Sequence, residues 1–574
     1  MPAILLFLKP YKSLCVFTLC AAVLDVAGTL YIPALTADMI NTGVGNGDMD
    51  AILRKGAAML LMTLLSGAGA LTGSFLCARL SARIGRDMRN ALYKASLTFS
   101  SRDFEQFGAA SMVTRTLNDV AVVQQAFLWS VQIVAPVPII CLMGAAMAFS
   151  IDWQMGLLLV GIVAVVMGSA VLITCRASSI FEKLQGALDK INAVLQEDIA
   201  GVRVIRAFNK EAREEKRMKL SFEDYARSAI EANSLFFGLE SLAVFFLNVS
   251  VTAILWLGGN RIGAGHMKIG DIAALTEYSV LILFYVIMAQ MVIILLPRAR
   301  VCMRRISAVL LHRPEIEDGT AAGENVRSAE VCRFHNAAFQ FADAATLQGL
   351  NFSLLRGQTA AIVGSTGSGK STIAKLLLRF HDVTAGSVTF GGVDIRALPQ
   401  KELRRRISYV PQKAWLFSGT IADNLRCGNE NASEEEMRRA LATAQADFAN
   451  NQPQGLMSAV AQGGVNFSGG QKQRLSIARA LIKKADLYIF DDSFSALDFK
   501  TDAALRHSLA SELRDSAVLI IAQRINTILK ADQIIVLEDG KICGVGRHED
   551  LLERCEVYRE IAQSQTKGTN INGK

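Results

Sequence analysis

The sequence lacks the features that would tie it to several function classes. Its ten cysteines stand singly between Cys15 and Cys555 with no CxxC pair, which argues against a disulfide framework or a zinc site; they read as reduced or membrane-buried small hydrophobes. The opening MPAILLFLKPYK has no basic n-region and runs into an apolar stretch too long for a signal peptide, so no cleavage is expected. There is no internal repeat and no low-complexity tract apart from a polar end, SQTKGTNINGK, which is expected to be disordered. A strong charge excess is also missing. Lys and Arg number 60 against 52 Asp and Glu, a net of +8, which leaves nucleic acid, anionic lipid and basic loops equally open.

Apolar residues, by contrast, are abundant. They make up 51% of the 574 residues, and the mean hydropathy is +0.32, too high for a chain that lives only in water. Six apolar segments have spanning length: Ser13–Met39, Gly56–Ala78, Ala126–Ser150, Met155–Cys175, Leu235–Leu257 and Ile272–Leu296. Arginine and lysine crowd two long connections, from Arg79 to Arg115 and from Arg176 to Arg213, while the other three connections are short and poorly charged. The positive-inside rule therefore puts the long loops and both termini in the cytoplasm. The periodicity of VLQEDIAGVRVIRAFNKEAREEKR predicts a helix standing below the membrane rather than a loose linker.

After Pro297 the pattern changes to short apolar strands alternating with helices, the signature of an α/β domain. The expected division is a six-helix membrane domain over 1–310, a linker over 311–327, an α/β P-loop domain over 328–564 and a disordered tail over 565–574. Within the α/β part, GSTGSGKS at Gly364–Ser371 fits GxxxxGK[ST] between a strand and a helix. The backbone N–H groups of Gly364, Ser365, Thr366, Gly367, Ser368 and Gly369 can close around phosphate oxygens. Lys370 can neutralise those oxygens, and Ser371, followed by Thr372, can reach a magnesium ion. LYIFDD at Leu487–Asp492 then reads as a partner strand of the same sheet, with Asp491 at its C-terminal end in the place of a Mg²⁺ holder.

Between these strands FSGGQ, Phe467–Gln471, resembles the signature motif of ATP-binding cassette (ABC) proteins. Other pieces resemble that family in order and spacing: Phe341 ahead of the phosphate loop, Gln412 in YVPQKAWLF, SALD at Ser495–Asp498 and IAQRINT around Gln523. With the membrane segments in front, nearly the whole chain resembles an exporter-type half-transporter. The resemblance implies ATP and Mg²⁺ as cofactors, held by Phe341, the phosphate loop, Ser371, Gln412 and Asp491. It implies that Ser468, Gly469, Gly470, Gln471 and Asp498 face a nucleotide across a dimer of nucleotide-binding domains. It also implies coupling helices near Phe104 and over Val204–Phe208, and export of amphiphilic drugs, lipids or peptides from a bacterial inner membrane, with no role for nucleic acid. Direction of transport is not written in the motifs.

Two positions of the hydrolytic site depart from the family. Its hydrolytic site has Glu after the magnesium aspartate and His in the switch segment; this chain has Asp492 and Gln523. Aspartate is one methylene shorter, and glutamine cannot carry a proton at neutral pH. A third departure is Gln462, where exporters usually have Glu. The expectation is a degenerate, slow ATP site beside an intact signature, which suits a heterodimer with a different half-transporter. The alternatives are a homodimer with two slow sites or an ATP-gated, channel-like protein with little hydrolysis. In the membrane half Asp25, Glu240 and Glu277 are the ionisable candidates for cation recognition, with interhelical contacts as the competing role. Asp25 and Glu277 could approach the same depth in the bilayer.

Overall fold

The longest apolar stretches become long helices in the computed structural model, which describes residues 6–293, 295–321, 328–341 and 344–569. Five helices are long and apolar enough to cross a membrane by length and composition: α1 (Leu6–Val44), α2 (Met49–Thr98), α4 (Ala109–Ile151), α6 (Glu211–Gly263) and α7 (Ile269–Leu310). Between α2 and α4 lies a short helix, α3 (Ser101–Phe107). The fourth expected span falls on α5 (Trp153–Ala207), whose described apolar part is Trp153–Ser169. The rest of that segment, at 170–175, lies outside the residues whose side chains are described. Among the described residues five spans are therefore established by length and composition, and the sixth expected one is not confirmed.

At 1.5 Å per residue, the 55 residues of α5 reach about 80 Å, far more than a hydrocarbon core of about 30 Å. The expected helical extension is thus continuous with its span, and the turn Phe208–Lys210 joins it to α6. Inside this unit α1 and α7 pack through Val26, Leu30, Tyr278, Ile282 and Val286, all buried.

The chain divides into two compact units, one holding 1–98 and 107–313, the other 99–106 and 314–574. The division falls inside the stretch expected to be a linker, and α3 through Gln106 groups with the second unit. The start of that linker is fastened: the buried guanidinium of Arg379 donates to the Glu317 carbonyl (2.8 Å), and Ala321 N donates to Ala397 O (2.9 Å). Residues 322–327 lie outside the described residues.

The second unit is built on a six-stranded sheet in the order β12–β11–β3–β10–β9–β6. Its strands are β3 (Thr359–Gly364), β6 (Ile407–Val410), β9 (Leu487–Asp491), β10 (Ala517–Ile521), β11 (Gln533–Glu538) and β12 (Lys541–Gly546), all parallel but for β12. Helices cover both faces, which is why LYIFD is apolar without alternation: Tyr488 and Phe490 point into one core, Leu487 and Ile489 into the other. A separate sheet, β2–β1–β4–β5, carries β1 (Glu330–Phe341), β2 (Ala344–Leu355), β4 (Ala385–Phe390) and β5 (Val393–Asp394), and β7 (Gly419–Thr420) pairs with β8 (Ala459–Val460).

The polar end corrects the sequence reading. Helix α11, Glu556–Thr569, runs through much of the stretch expected to be disordered, because Val557, Tyr558, Ile561 and Ala562 pack on the core of the second unit. Residues 570–574, and the first five, lie outside the described residues. The nine described cysteines are free; Cys20, Cys427 and Cys543 among them are exposed.

Candidate functional site

The parallel register brings three loops to one edge. Asp491 ends β9 opposite Ile521 of β10, and Ile521 lies opposite Ile362 of β3, so the segments after Gly364, Asp491 and Ile521 emerge side by side. In an open parallel sheet this carboxyl edge is where ligands bind.

The loop after β3 is shaped by close approach. A Cβ on Gly364 would stand 2.0 Å from the Leu537 carbonyl oxygen, so no larger residue fits against β11. Gly369, with φ +95°, occupies the left-handed region and starts α8 (Lys370–Leu377). The same glycine is pressed against Leu347 and the Thr346 carbonyl, which sets the β1–β2 hairpin, and with it Phe341, beside the loop. The buried Lys370 ammonium donates to the carbonyls of Gly364 (2.9 Å) and Ser365 (2.6 Å). Burial pushes this lysine below its usual range, and Asp492 and Asp491 pull it partly back.

Asp491 is buried and fully engaged. Ser371 Oγ donates to its Oδ1 (2.8 Å) and the Tyr409 hydroxyl to its Oδ2 (3.2 Å). Burial raises its carboxyl above the ordinary range; the two hydroxyls oppose the shift and Asp492 adds to it. Hydroxyl and carboxylate oxygens at this spacing form a hard-oxygen donor set of the kind magnesium takes, so Ser371 and Asp491 fit the expected ion. Tyr409 was not foreseen. The one sequence signal was its place three residues before Gln412; that its strand, β6, adjoins β9 is known from the structure.

Asp492 sits differently. It is half-buried at φ +47°, its backbone N–H donates to Ile521 O (2.8 Å), and its Oδ2 accepts from Gln412 Nε2 (3.1 Å). The structure thus pairs Gln412 with the candidate base, not with Ser371 or Asp491. Gln523 is the second residue after β10 and is exposed; its backbone carbonyl accepts from Gln565 Nε2 (2.7 Å).

The remaining candidates lie elsewhere in the unit. Ser468 caps α9 (Gly469–Ile482) in a capping box: its Oγ accepts from Gln471 N (3.3 Å), and Gln471 Oε1 accepts from Ser468 N (2.9 Å). Buried Phe467 anchors this turn, while Ser468 and Gly469 are exposed. Among the described residues no hydrogen bond joins Ser468–Gln471 to Gly364–Thr372. Asp498 caps α10 (Phe499–Glu512) through Thr501 N (3.1 Å). Gln462 lies exposed in a short 3₁₀ turn, Gln462–Gly464. Phe341 is half-buried and meets Phe339 and His381 edge-on, with centroids 4.7 and 5.1 Å away. Around these rings a cavity of about 80 Å³ is also lined by Arg102 and Glu315, which form an ion pair (2.7 Å). The expected coupling turn near Phe104 therefore adjoins the expected base-stacking aromatic.

In the membrane unit, Asp25 is half-buried and its Oδ1 accepts from Ser66 Oγ on α2 (2.8 Å), an interhelical bond of the competing kind. Glu240 and Glu277 are exposed on their helices.

Comparison with known proteins gives this geometry its context. The family model for the ABC transporter transmembrane region matches residues 14–286, and that for the ABC transporter matches 347–495. The chain is 38% identical to an uncharacterized ABC transporter ATP-binding protein of Mycobacterium tuberculosis (strain CDC 1551 / Oshkosh), over 99% of this chain and 98% of the relative. It is 30% identical to an ATP-dependent lipid A-core flippase of Syntrophus aciditrophicus (strain SB), over 90% and 86%. The solved structure of a bacterial Atm1-family ABC exporter with ATP bound superposes with a TM-score of 0.83 at 25% identity, covering 96% of this chain and 98% of that one. The chain belongs to the ABC transporter family, as a multi-pass membrane protein with a transmembrane domain followed by an ABC nucleotide-binding domain in the exporter fold.

Proposed function

We propose that this chain is one half of an ATP-driven exporter of amphiphilic compounds, that it binds Mg²⁺–ATP at a site that turns over slowly, and that it pairs with a different half-transporter. The observation that carries the reading is the contrast between Asp491 and Asp492. Asp491, Ser371 and Lys370 keep the hydrogen-bonded geometry of a phosphate and magnesium site. Asp492 and Gln523, the residues that would act on the attacking water, are the two altered ones. Bound ATP supplies the γ-phosphate whose hydrolysis drives transport; Lys370 would neutralise it, Ser371 and Asp491 would hold the magnesium, and Phe341 would stack on the base.

The intact capping box supports the pairing. It fixes Ser468 and leaves the first N–H groups of α9 at an exposed helix start, suited to a phosphate presented by a partner. A chain with a good signature and a poor base is of most use to a partner that has a good base. Likeness to a lipid A-core flippase supports lipid-like amphiphiles as the substrate class. The orientation that suits this reading places both termini and the nucleotide-binding domain in the cytoplasm of a bacterial inner membrane.

The test is purification in mild detergent. A second half-transporter is expected to co-purify, and the chain stripped of it should hydrolyse ATP slowly. Vigorous ATPase activity from this chain alone would overturn the heterodimer.

A further inference from the structure

We propose that Gln565, on the last helix, is a positioning residue for the switch residue Gln523, so that the C-terminal helix sets how firmly this chain's site holds ATP. The inference rests on the proposed role of Gln523 at the γ-phosphate. Gln565 lies outside the residues matched by either family model.

The pairing of β10 with β3 ends where Ala522 N donates to Ile362 O (3.1 Å). Gln523 is the next residue, and the sheet no longer holds it. One side chain takes over with both ends of its amide: Gln565 Nε2 donates to Gln523 O (2.7 Å), and Gln565 Oε1 accepts from Ile525 N (2.9 Å). This two-point clamp fixes the peptide on either side of Arg524. Downstream the segment is held from a second direction: Arg506 of α10 is gripped by Asp502 (3.0 Å) and donates to the carbonyls of Asn526 (3.0 Å) and Thr527 (3.4 Å). Buried Ile525, Thr527 and Ile528 secure that end in the core. Gln523 therefore stands between two fastened stretches, the sheet edge at Ala522 and the anchored turn from Ile525, and Gln565 is the side chain that holds its carbonyl.

Helix α11 can bear this load because Val557, Tyr558, Ile561 and Ala562 seat it on the core, and the Tyr558 hydroxyl meets His548 Nδ1 (2.7 Å). Only a primary amide at 565 does both jobs, since the clamp needs one donor and one acceptor. A glutamate would keep the acceptor for Ile525 N but set a carboxylate against the Gln523 carbonyl. An alanine would remove both bonds and leave Gln523 to shift. Displacement of about 1 Å at such a site costs on the order of 100-fold where reacting atoms are concerned; for a single hydrogen bond to a phosphate, the expected loss is about tenfold.

The experiment uses the full complex loaded with Mg²⁺–8-azido-ATP, chased with ATP and then photolysed, so that label in this chain is read separately from label in its partner. Gln523→Ala should shorten retention in this chain about tenfold, Gln565→Ala and Gln565→Glu should do the same, and Gln523→Ala combined with Gln565→Ala should be no worse than either alone. Hydrogen exchange should show loss of protection around Ile525 in the Gln565 variants, with β9 unchanged as a check on folding. A Gln565→Ala variant that retains label like wild type while Gln523→Ala does not would overturn the clamp, and additive losses would place the effect of Gln565 elsewhere. A silent Gln523→Ala would instead overturn the switch role on which the inference rests, and the inference with it.

Discussion

On the proposed reading, restoring the family residues at 492 and 523 should convert a slow site into a fast one, and the missing methylene sets the size of the effect. Asp492 places its carboxylate about 1.5 Å short of where a glutamate would, and misplacement of about 1 Å costs on the order of 100-fold. That factor corresponds to about 2.7 kcal/mol of barrier. Against it stands the backbone. Residue 492 has φ +47°, a conformation that aspartate tolerates better than glutamate, so Asp492→Glu forfeits up to about 1 kcal/mol of stability. Gln412, now 3.1 Å from Asp492 Oδ2, must also shift to admit the longer side chain. The barrier term is larger, so the net expectation is a gain in rate with a slightly lower melting temperature.

The assay is chain-resolved. In the purified complex, with the partner's own base removed by substitution, Asp492→Glu should raise the steady-state ATPase rate by about 10- to 100-fold, and Gln523→His added to it should raise the rate further. An unchanged rate in Asp492→Glu with Gln523→His, with ATP still bound and the complex still assembled, would refute the assignment of slowness to these two residues.

Other expectations follow from single contacts. Lys370→Ala should abolish photolabelling of this chain by 8-azido-ATP while leaving its fold intact, because among the described residues the ammonium bonds to loop oxygens alone. Ser468→Ala removes a helix cap worth about 1 kcal/mol, and it should slow hydrolysis at the partner's site more than it affects nucleotide retention at this one. His381 is buried against Phe339 and Phe341, and burial, Lys375 and Arg102 depress its pKa while Glu315 and Glu105 oppose the shift. The unfolded chain therefore binds this proton at a higher pH than the folded one, so thermal stability should fall as pH drops below about 6.5, and His381→Phe should flatten that fall. Asp25→Asn with Glu277→Gln should reduce transport of cationic amphiphiles and spare neutral ones in vesicle uptake. Equal transport of both would assign Asp25 to the α1–α2 contact with Ser66 alone.

What the sequence made legible and what it hid differ by range. The phosphate loop, Asp491 and the signature turn are each specified within a dozen residues: a glycine that touches the neighbouring strand, a carboxylate at a strand end, a capping box. Those pieces appear where local pattern puts them. The second partner of Asp491, Tyr409, depends on β6 lying next to β9, and the clamp on Gln523 depends on a helix some 40 residues further along the chain. Such pairings are products of strand order and docking, which no local pattern encodes. The end of the chain differs for the same reason: SQTKGTNINGK is polar by itself, and the helix that runs through its first part, to Thr569, is seated because the preceding Tyr558 and Ile561 find a core.

The same distinction bears on why change is found at 492 and 523 and not at 491. Asp491 is buried and accepts from two half-buried hydroxyls, and replacing it would leave Ser371 and Tyr409 without that acceptor, at about 1–3 kcal/mol for each group left unpaired in a site shielded from water. Asp492 is half-buried and engages its surroundings through its backbone and an exposed glutamine, and the side chain of Gln523 is exposed while its main chain is held from outside the sheet. Substitution at these two positions therefore costs the fold little and the chemistry much. On the proposed pairing, a subunit relieved of hydrolysis by a partner loses those residues without losing the pocket, whereas loss of Asp491 would damage the domain that carries the signature turn.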